Sequence, residues 1–135
     1  MCSSTWTSSF LTNMGIKLIK YGSHKADVAI IRAAIERNGG RIIQFDCADG
    51  PDLVMEDRHG MRWGVEVERT LKSPARYRAV LEAHQDRLLI GDYKRLLFLC
   101  PKEWQVEALA KRLRNLTITW SGLITVGRYE LVYEL

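Results

Sequence analysis

Asp52, Glu66 and Glu68 are the residues of this chain whose types and spacing suggest chemistry. Glu66 and Glu68 stand two apart in the run Gly-Val-Glu-Val-Glu-Arg, and side chains two apart on a strand share a face. Asp52 opens an earlier strand-like run that a short turn can fold back beside the first. Three carboxylates on one sheet face repel one another unless a cation or a function compensates. Their oxygens are hard ligands, so the cations that suit them are Mg2+ or Mn2+. Held on a rigid sheet, one or two such ions can activate water and neutralise developing negative charge. The competing reading is an exposed polar hairpin face, balanced by Arg62 and Arg69.

The elements that must bring these residues together are legible in the pattern. The runs 52–57 and 61–70 read as strands, and Arg58-His59-Gly60 fits a three-residue hairpin loop whose last position takes the left-handed conformation that glycine tolerates. In that register Asp57 faces Met61 and Asp52 faces Glu66. Leu53, Met55, Trp63, Val65 and Val67 then share an apolar face, while Asp52, Glu56, Arg62, Glu66 and Glu68 share the other, with Val54 the odd member. A slip of one residue would drive the acidic side chains into the core, which the cost of burying unpaired charge forbids.

Around the hairpin, Val28, Ile31, Ala34 and Ile35 recur at helical spacing between a Ser23 cap and the stop Asn38-Gly39-Gly40. Arg41 to Asp46 reads as a strand. Ser73-Pro74 has the form of a helix start, followed by the stripe Tyr77, Val80, Leu81, His84 and Leu88. Arg95 to Cys100 is a continuous apolar strand of the kind buried on both faces, and Pro101 precedes a helix built on Trp104, Leu109 and Leu113. Strands at Thr117 to Val126 and Arg128 to Glu134 are expected to close the chain. Residues 1–23 read as a loosely held arm with a short strand at Ile16 to Tyr21. Trp63 and Trp104 fit core positions, His84 a core or half-buried one, and His59 a solvent-facing loop; Trp6 and Trp120 are better read as buried than as base-stacking.

With 135 residues, 47% hydrophobic and 27% charged, the composition suits one folded domain and excludes a disordered or fibrous chain. The net charge of +4 permits nucleic-acid binding without requiring it. Arg69, Lys72, Arg76 and Arg78 gather where phosphates beside a metal would lie, although a charged helix face in water is the simpler account. Cys2, Cys47 and Cys100 are odd in number and lack a CxxC pair, which argues against a disulfide framework and for a reducing cytoplasm. No secretory signal or membrane-spanning run is read, so no membrane partner is expected. His24, His59 and His84 lack ligand spacing to one another or to cysteine, which rejects a zinc site.

Pro51-Asp52 and Glu66-Val67-Glu68, set in the order helix, three strands, helix, strand, resemble the PD-(D/E)XK nuclease superfamily over roughly residues 24–115. The stretch from Pro51 to Ser73 is also similar, more weakly, to replication-relaxation-type proteins of plasmids and mobile elements. The resemblance implies an α/β fold with a restriction-endonuclease-like αβββαβ core, a central mixed sheet flanked by helices, and extra C-terminal strands. It implies a metal-dependent DNA endonuclease using Mg2+ or Mn2+ on double-stranded DNA, with a homodimer as one arrangement. Asp52 and Glu66 would be the metal ligands, the Val67 carbonyl, with that of Val65, would complete the shell, and Glu36 on the first helix would be an outer acid. The chain departs from the motif where Glu68 replaces its lysine. Either the carboxylate serves there, or Lys72 has taken over the lysine's part, or catalysis is lost and a non-cleaving DNA-binding accessory protein remains.

Overall fold

The computed structural model describes residues 17–18, 24–45, 50–116, 122–129 and 132–133. In chain order the elements are β1 (Lys17–Leu18), α1 (His24–Arg37), β2 (Arg41–Phe45), β3 (Leu53–Glu56), β4 (Arg62–Val67), α2 (Pro74–Ile90), β5 (Arg95–Cys100), α3 (Glu103–Leu116), β6 (Ile124–Arg128) and β7 (Val132–Tyr133). They form an α/β structure whose five-stranded mixed sheet is ordered β2-β3-β4-β5-β6; β1 and β7 make a separate parallel pair. The expected Ser23 cap, Cys2, Cys47, Trp6, Trp120 and most of the arm at 1–23 lie outside the described residues, as does the start of the strand expected from Thr117.

The β3–β4 hairpin adopts the expected register, pairing Leu53 with Val65, Met55 with Trp63 and Glu56 with Arg62. Asp57 holds the turn. Its Oδ1 accepts from the backbone N–H of His59 and Met61 at 2.9 and 3.0 Å, and its Oδ2 from the indole N–H of Trp63 at 3.0 Å. Gly60 has φ +84°, the left-handed position the loop demands. Each such hydrogen bond adds on the order of 1 kcal/mol, so one aspartate fixes the register that every downstream position inherits.

β4, β5 and β6 run parallel, joined by α2 and α3, while β2, β3 and β4 are antiparallel. Ser73 caps α2, its side chain accepting from the Arg76 N–H at 3.3 Å with Pro74 in the first turn, and Gly91 at φ +95° ends it. Two apolar clusters result. Ile31, Ala34 and Ile35 of α1 pack on Leu53, Val65, Val67, Leu97 and Leu99. On the opposite sheet face Tyr77, Leu81, Leu109 and Leu113 of α2 and α3 pack on Val54, Leu96 and Phe98. The continuous apolar run of β5 is thereby buried on both faces, each fully buried large side chain stabilising by about 1.5–3 kcal/mol.

Three sequence expectations need correction. Trp104 is 59% exposed; the buried register of α3 is Gln105, Leu109 and Leu113, four apart, and Trp104 falls one position off that stripe. β4 ends at Val67 rather than near Thr70, because α3 captures the following loop: Gln105 donates to the Arg69 carbonyl at 2.9 Å and Arg112 to that of Lys72 at 2.5 Å. Arg128 closes β6 rather than opening the last strand, since β6 is matched to β5 from Leu96–Ile124 to Cys100–Arg128. No helix among the described residues is long and apolar enough to cross a membrane.

Candidate functional site at the strand ends

The parallel strands deliver their C-terminal ends to the same edge as the start of β3 and the N-terminus of α1. This is where open α/β sheets leave a crevice. A cavity of about 350 Å3 lies there, lined by His24, Asp52, Glu66, Val67, Glu68, Arg69, Thr70, Lys72 and Val80. All three acidic residues singled out by the sequence therefore reach one cavity.

Asp52 and Glu66 are cross-linked through the ends of their strands. The Asp52 N–H donates to Glu66 Oε1 at 3.2 Å, and the Val67 N–H donates to Asp52 Oδ2 at 2.7 Å. The second Glu66 oxygen, Oε2, lies 3.0 Å from Nε2 of His84, whose Nδ1 meets the Tyr93 hydroxyl. Burial raises the Tyr93 hydroxyl well above the usual phenol range and keeps it protonated; in the tautomer whose Nδ1 accepts from it, His84 Nε2 donates to Glu66. Tyr93 in turn fills the space over Gly64, where a Cβ would come within 2.7 Å of its ring.

Glu68 is 4% exposed and held from two sides. Lys72 Nζ lies 2.6 Å from each of its oxygens, and the Tyr77 hydroxyl donates to Oε2 at 2.8 Å. Burial first, together with the hydrogen bond to Glu68, pushes the Tyr77 hydroxyl far up, which keeps it a donor. Burial likewise pushes the Cys100 thiol beneath this cluster up to about 12, with the Glu68 charge adding to the effect. Lys72 thus reaches back to the acidic cluster from the strand-to-helix junction.

Two residues that sequence reasoning did not bring here stand at the site: His24 lines the cavity, and Asp27 holds its lining residue Arg69. His24, in the first turn of α1, points Nε2 at both Asp52 Oδ2 and the Val67 carbonyl, each 3.1 Å away. Asp27, one turn on, is 1% exposed and accepts from Arg69 Nε and the Tyr129 hydroxyl, each at 3.0 Å. The Tyr129 hydroxyl is raised by burial and by the Asp27 charge and so remains protonated. The acid expected on α1, Glu36, is elsewhere: it lies in the last turns of the helix, exposed, 3.7 Å from Arg32 and about 18 Å of helix away from His24. Arg69 and Lys72 line the cavity, whereas Arg76 and Arg78 are exposed and outside its lining.

Among the described residues, no group of three or more His, Cys, Asp and Glu side chains stands ready to hold a metal ion. The oxygens nevertheless suit one: Asp52 Oδ2 and the Val67 carbonyl converge on a single point, and both are hard donors. That point is taken by the His24 nitrogen, so these two oxygens would reach a divalent cation only with the imidazole displaced. Comparison with protein-family models, with curated proteins and with solved structures finds no match for this chain.

Proposed function

We propose that the chain is a metal-dependent nuclease of the PD-(D/E)XK type, hydrolysing phosphodiester bonds in DNA. The observation that carries this reading is the meeting of Asp52 Oδ2 and the Val67 carbonyl at the ends of two paired strands, with Glu66 and Lys72 lining the same cavity. Asp52, Glu66 and the Val67 carbonyl would hold Mg2+ or Mn2+, which when bound supplies an activated water and charge neutralisation on the phosphate. His84 orients the Glu66 carboxylate, and Tyr93 orients His84. Glu68 positions the Lys72 ammonium at the cavity wall, where it can meet a phosphate oxygen or hold the attacking water. The lysine missing from the motif is in this reading replaced by Lys72, four residues on. One site cuts one strand, so cleavage of both strands of a duplex calls for two copies.

The second reading, a non-cleaving DNA-binding accessory protein such as a plasmid or mobile element would use, draws on the buried Glu68 at the motif lysine position and on His24 within the oxygen cage. Supercoiled plasmid incubated with Mg2+ or Mn2+, beside EDTA controls and the Asp52→Ala and Glu66→Ala proteins, separates the two. Nicking or linearisation that needs metal and is abolished by both substitutions is expected; a folded wild-type protein inert toward plasmid, linear duplex and single strands would give the accessory reading.

A further inference from the structure

Two carboxylates at this edge of the sheet are buried, Glu68 and Asp27, and each is paired with a cation that lines the acidic cavity: Glu68 with Lys72, Asp27 with Arg69. Both Glu68 oxygens lie 2.6 Å from Lys72 Nζ, so that ammonium is largely engaged. Arg69 is engaged at one corner only. Its Nε lies 3.0 Å from Asp27 Oδ2, which also accepts from the Tyr129 hydroxyl, and among the described residues neither Nη nitrogen donates a hydrogen bond. The Arg69 side chain is 40% exposed, and its backbone is fixed from the far side of the sheet by Gln105 of α3, which donates to the Arg69 carbonyl at 2.9 Å. Arg76 and Arg78, farther on, are exposed and form no ion pair with a described residue.

A planar guanidinium held at Nε presents its two Nη groups as a fork, a shape that grips two oxygens of one phosphate and that an ammonium on a flexible stem does not match. We infer that Arg69 is the phosphate-gripping residue of this cavity and that Asp27 is its positioning residue, holding Nε from α1 while Gln105 holds the carbonyl from α3. The ligand group is a phosphodiester of the nucleic-acid backbone, recognised by its charge and its oxygens and not by its base. The inference rests on the nucleic-acid reading of the site and names the residue that grips the strand there. Neutralising Asp27 alone would call for neither a fork nor an exposed side chain, since a buried lysine would do the same.

The sign of the Asp27→Asn effect separates positioning from charge. Asparagine keeps an oxygen for the Tyr129 hydroxyl and removes one negative charge beside the cavity, so charge alone makes DNA binding tighter, whereas a lost hold on Nε makes it weaker. Anisotropy of a short labelled DNA duplex in EDTA, at a temperature where circular dichroism shows each full-length variant folded, reads that sign without cleavage. Expected are roughly tenfold weaker binding in Arg69→Gln with a salt slope shallower by about 0.9, and about threefold weaker binding at unchanged slope in Arg69→Lys. Asp27→Asn should bind about threefold more weakly, yet add nothing to Arg69→Gln in the double variant. The double variant leaves no buried charge unpaired, so its comparison with the wild type carries the test where Arg69→Gln alone does not fold. Unchanged or tighter binding in Asp27→Asn, Arg69→Lys binding as tightly as the wild type, or a wild type that binds no duplex would each overturn the inference. Arg69-dependent binding without metal-dependent cleavage of plasmid upholds it and leaves the non-cleaving protein, whereas cleavage with Arg69-independent binding keeps the nuclease and overturns it.

Discussion

Beneath α1 the sheet meets Ile31, Ala34 and Ile35 against Leu53, Val65, Val67, Leu97 and Leu99, a mainly aliphatic contact in which the polar atoms of Trp63 and Tyr129 bond to Asp57 and Asp27. Beneath α2 and α3 the same strands meet Tyr77, His84, Tyr93 and Glu68 as well as Leu81, Phe98 and Leu109. An aliphatic face is stabilised by area and shape and needs no particular orientation of any one group. A buried polar group is tolerated only when its partners are in place, so each hydrogen bond there also fixes where a carboxylate points. Glu66 and Glu68 therefore owe their positions to the α2 side of the sheet. The α1 side supplies bulk stability and brings only its first turn, His24 and Asp27, to the site.

The contrast is broken most forcibly from the apolar side. Leu99 is 1% exposed within the α1-facing cluster, and Leu99→Ala should destabilise the protein by about 2–5 kcal/mol in urea unfolding. Because no polar partner is touched, the cavity side chains should keep their arrangement. A loss below about 1 kcal/mol would mean this face is loosely packed and can collapse around the missing atoms.

Lys72→Met acts on the other side with a smaller but more specific effect. Removing one member of a fully buried ion pair costs roughly 3–5 kcal/mol. The Lys72 side chain is 31% exposed and Tyr77 still donates to Glu68, so a loss of about 2 kcal/mol is expected. Adding Glu68→Gln to Lys72→Met should recover part of it, since the uncompensated buried charge is then gone. No recovery in the double variant would show that the lysine stem, not its charge, stabilises the loop.

Gly64→Ala probes the seam between β4 and Tyr93. The added methyl would lie 2.7–3.0 Å from three ring carbons of a tyrosine that is fully buried, and overpacking of that kind costs roughly 1–3 kcal/mol. A ring that relieves the clash by shifting would carry its hydroxyl away from His84, and on the proposed metal-binding reading thermal stabilisation by Mn2+ should then weaken along with stability. A stability loss with an unchanged response to Mn2+ would uncouple Tyr93 from Glu66.

What could be read in the sequence follows the same division. The hairpin register was legible because local chemistry sets it: Gly60 and Asp57 act within a few residues, and that register alone brings Asp52 to Glu66. The start of α2 was legible at Ser73-Pro74 for the same reason. His24 was not, because its approach to Asp52 depends on how α1 docks across the sheet, a contact spanning 28 residues that no spacing rule encodes. His84 carried a weak signal: a polar residue on the stripe of Tyr77 and Leu81 must find a partner, and the acidic strand face was the one available. Trp104 misled because hydrophobicity outweighed position, whereas the amide of Gln105 is buried to satisfy both the Arg69 carbonyl and the Lys102 N–H.

The polar side should also respond to alkali, and here the sign of the effect follows from burial. The Cys100 thiol is pushed from its ordinary 9.0 up to about 12, mainly by burial and then by the Glu68 charge. Above pH 9 the unfolded chain releases this proton while the folded chain keeps it, so the native state binds more protons and stability falls as pH rises from 9 toward 12. The slope from one such group is at most about 1.4 kcal/mol per pH unit. Tyr77 and Tyr93 are raised by burial in the same direction, and their contribution begins above their ordinary value of 10.0. Melting temperature should therefore hold level to about pH 9 and decline beyond it. In Cys100→Ala the decline should begin about one unit later, at the onset of tyrosine ionisation in the unfolded chain. An identical curve in that variant would mean the thiol has a proton-releasing path even when folded, and that the α2 side of the sheet opens to solvent at Cys100 more readily than its full burial implies.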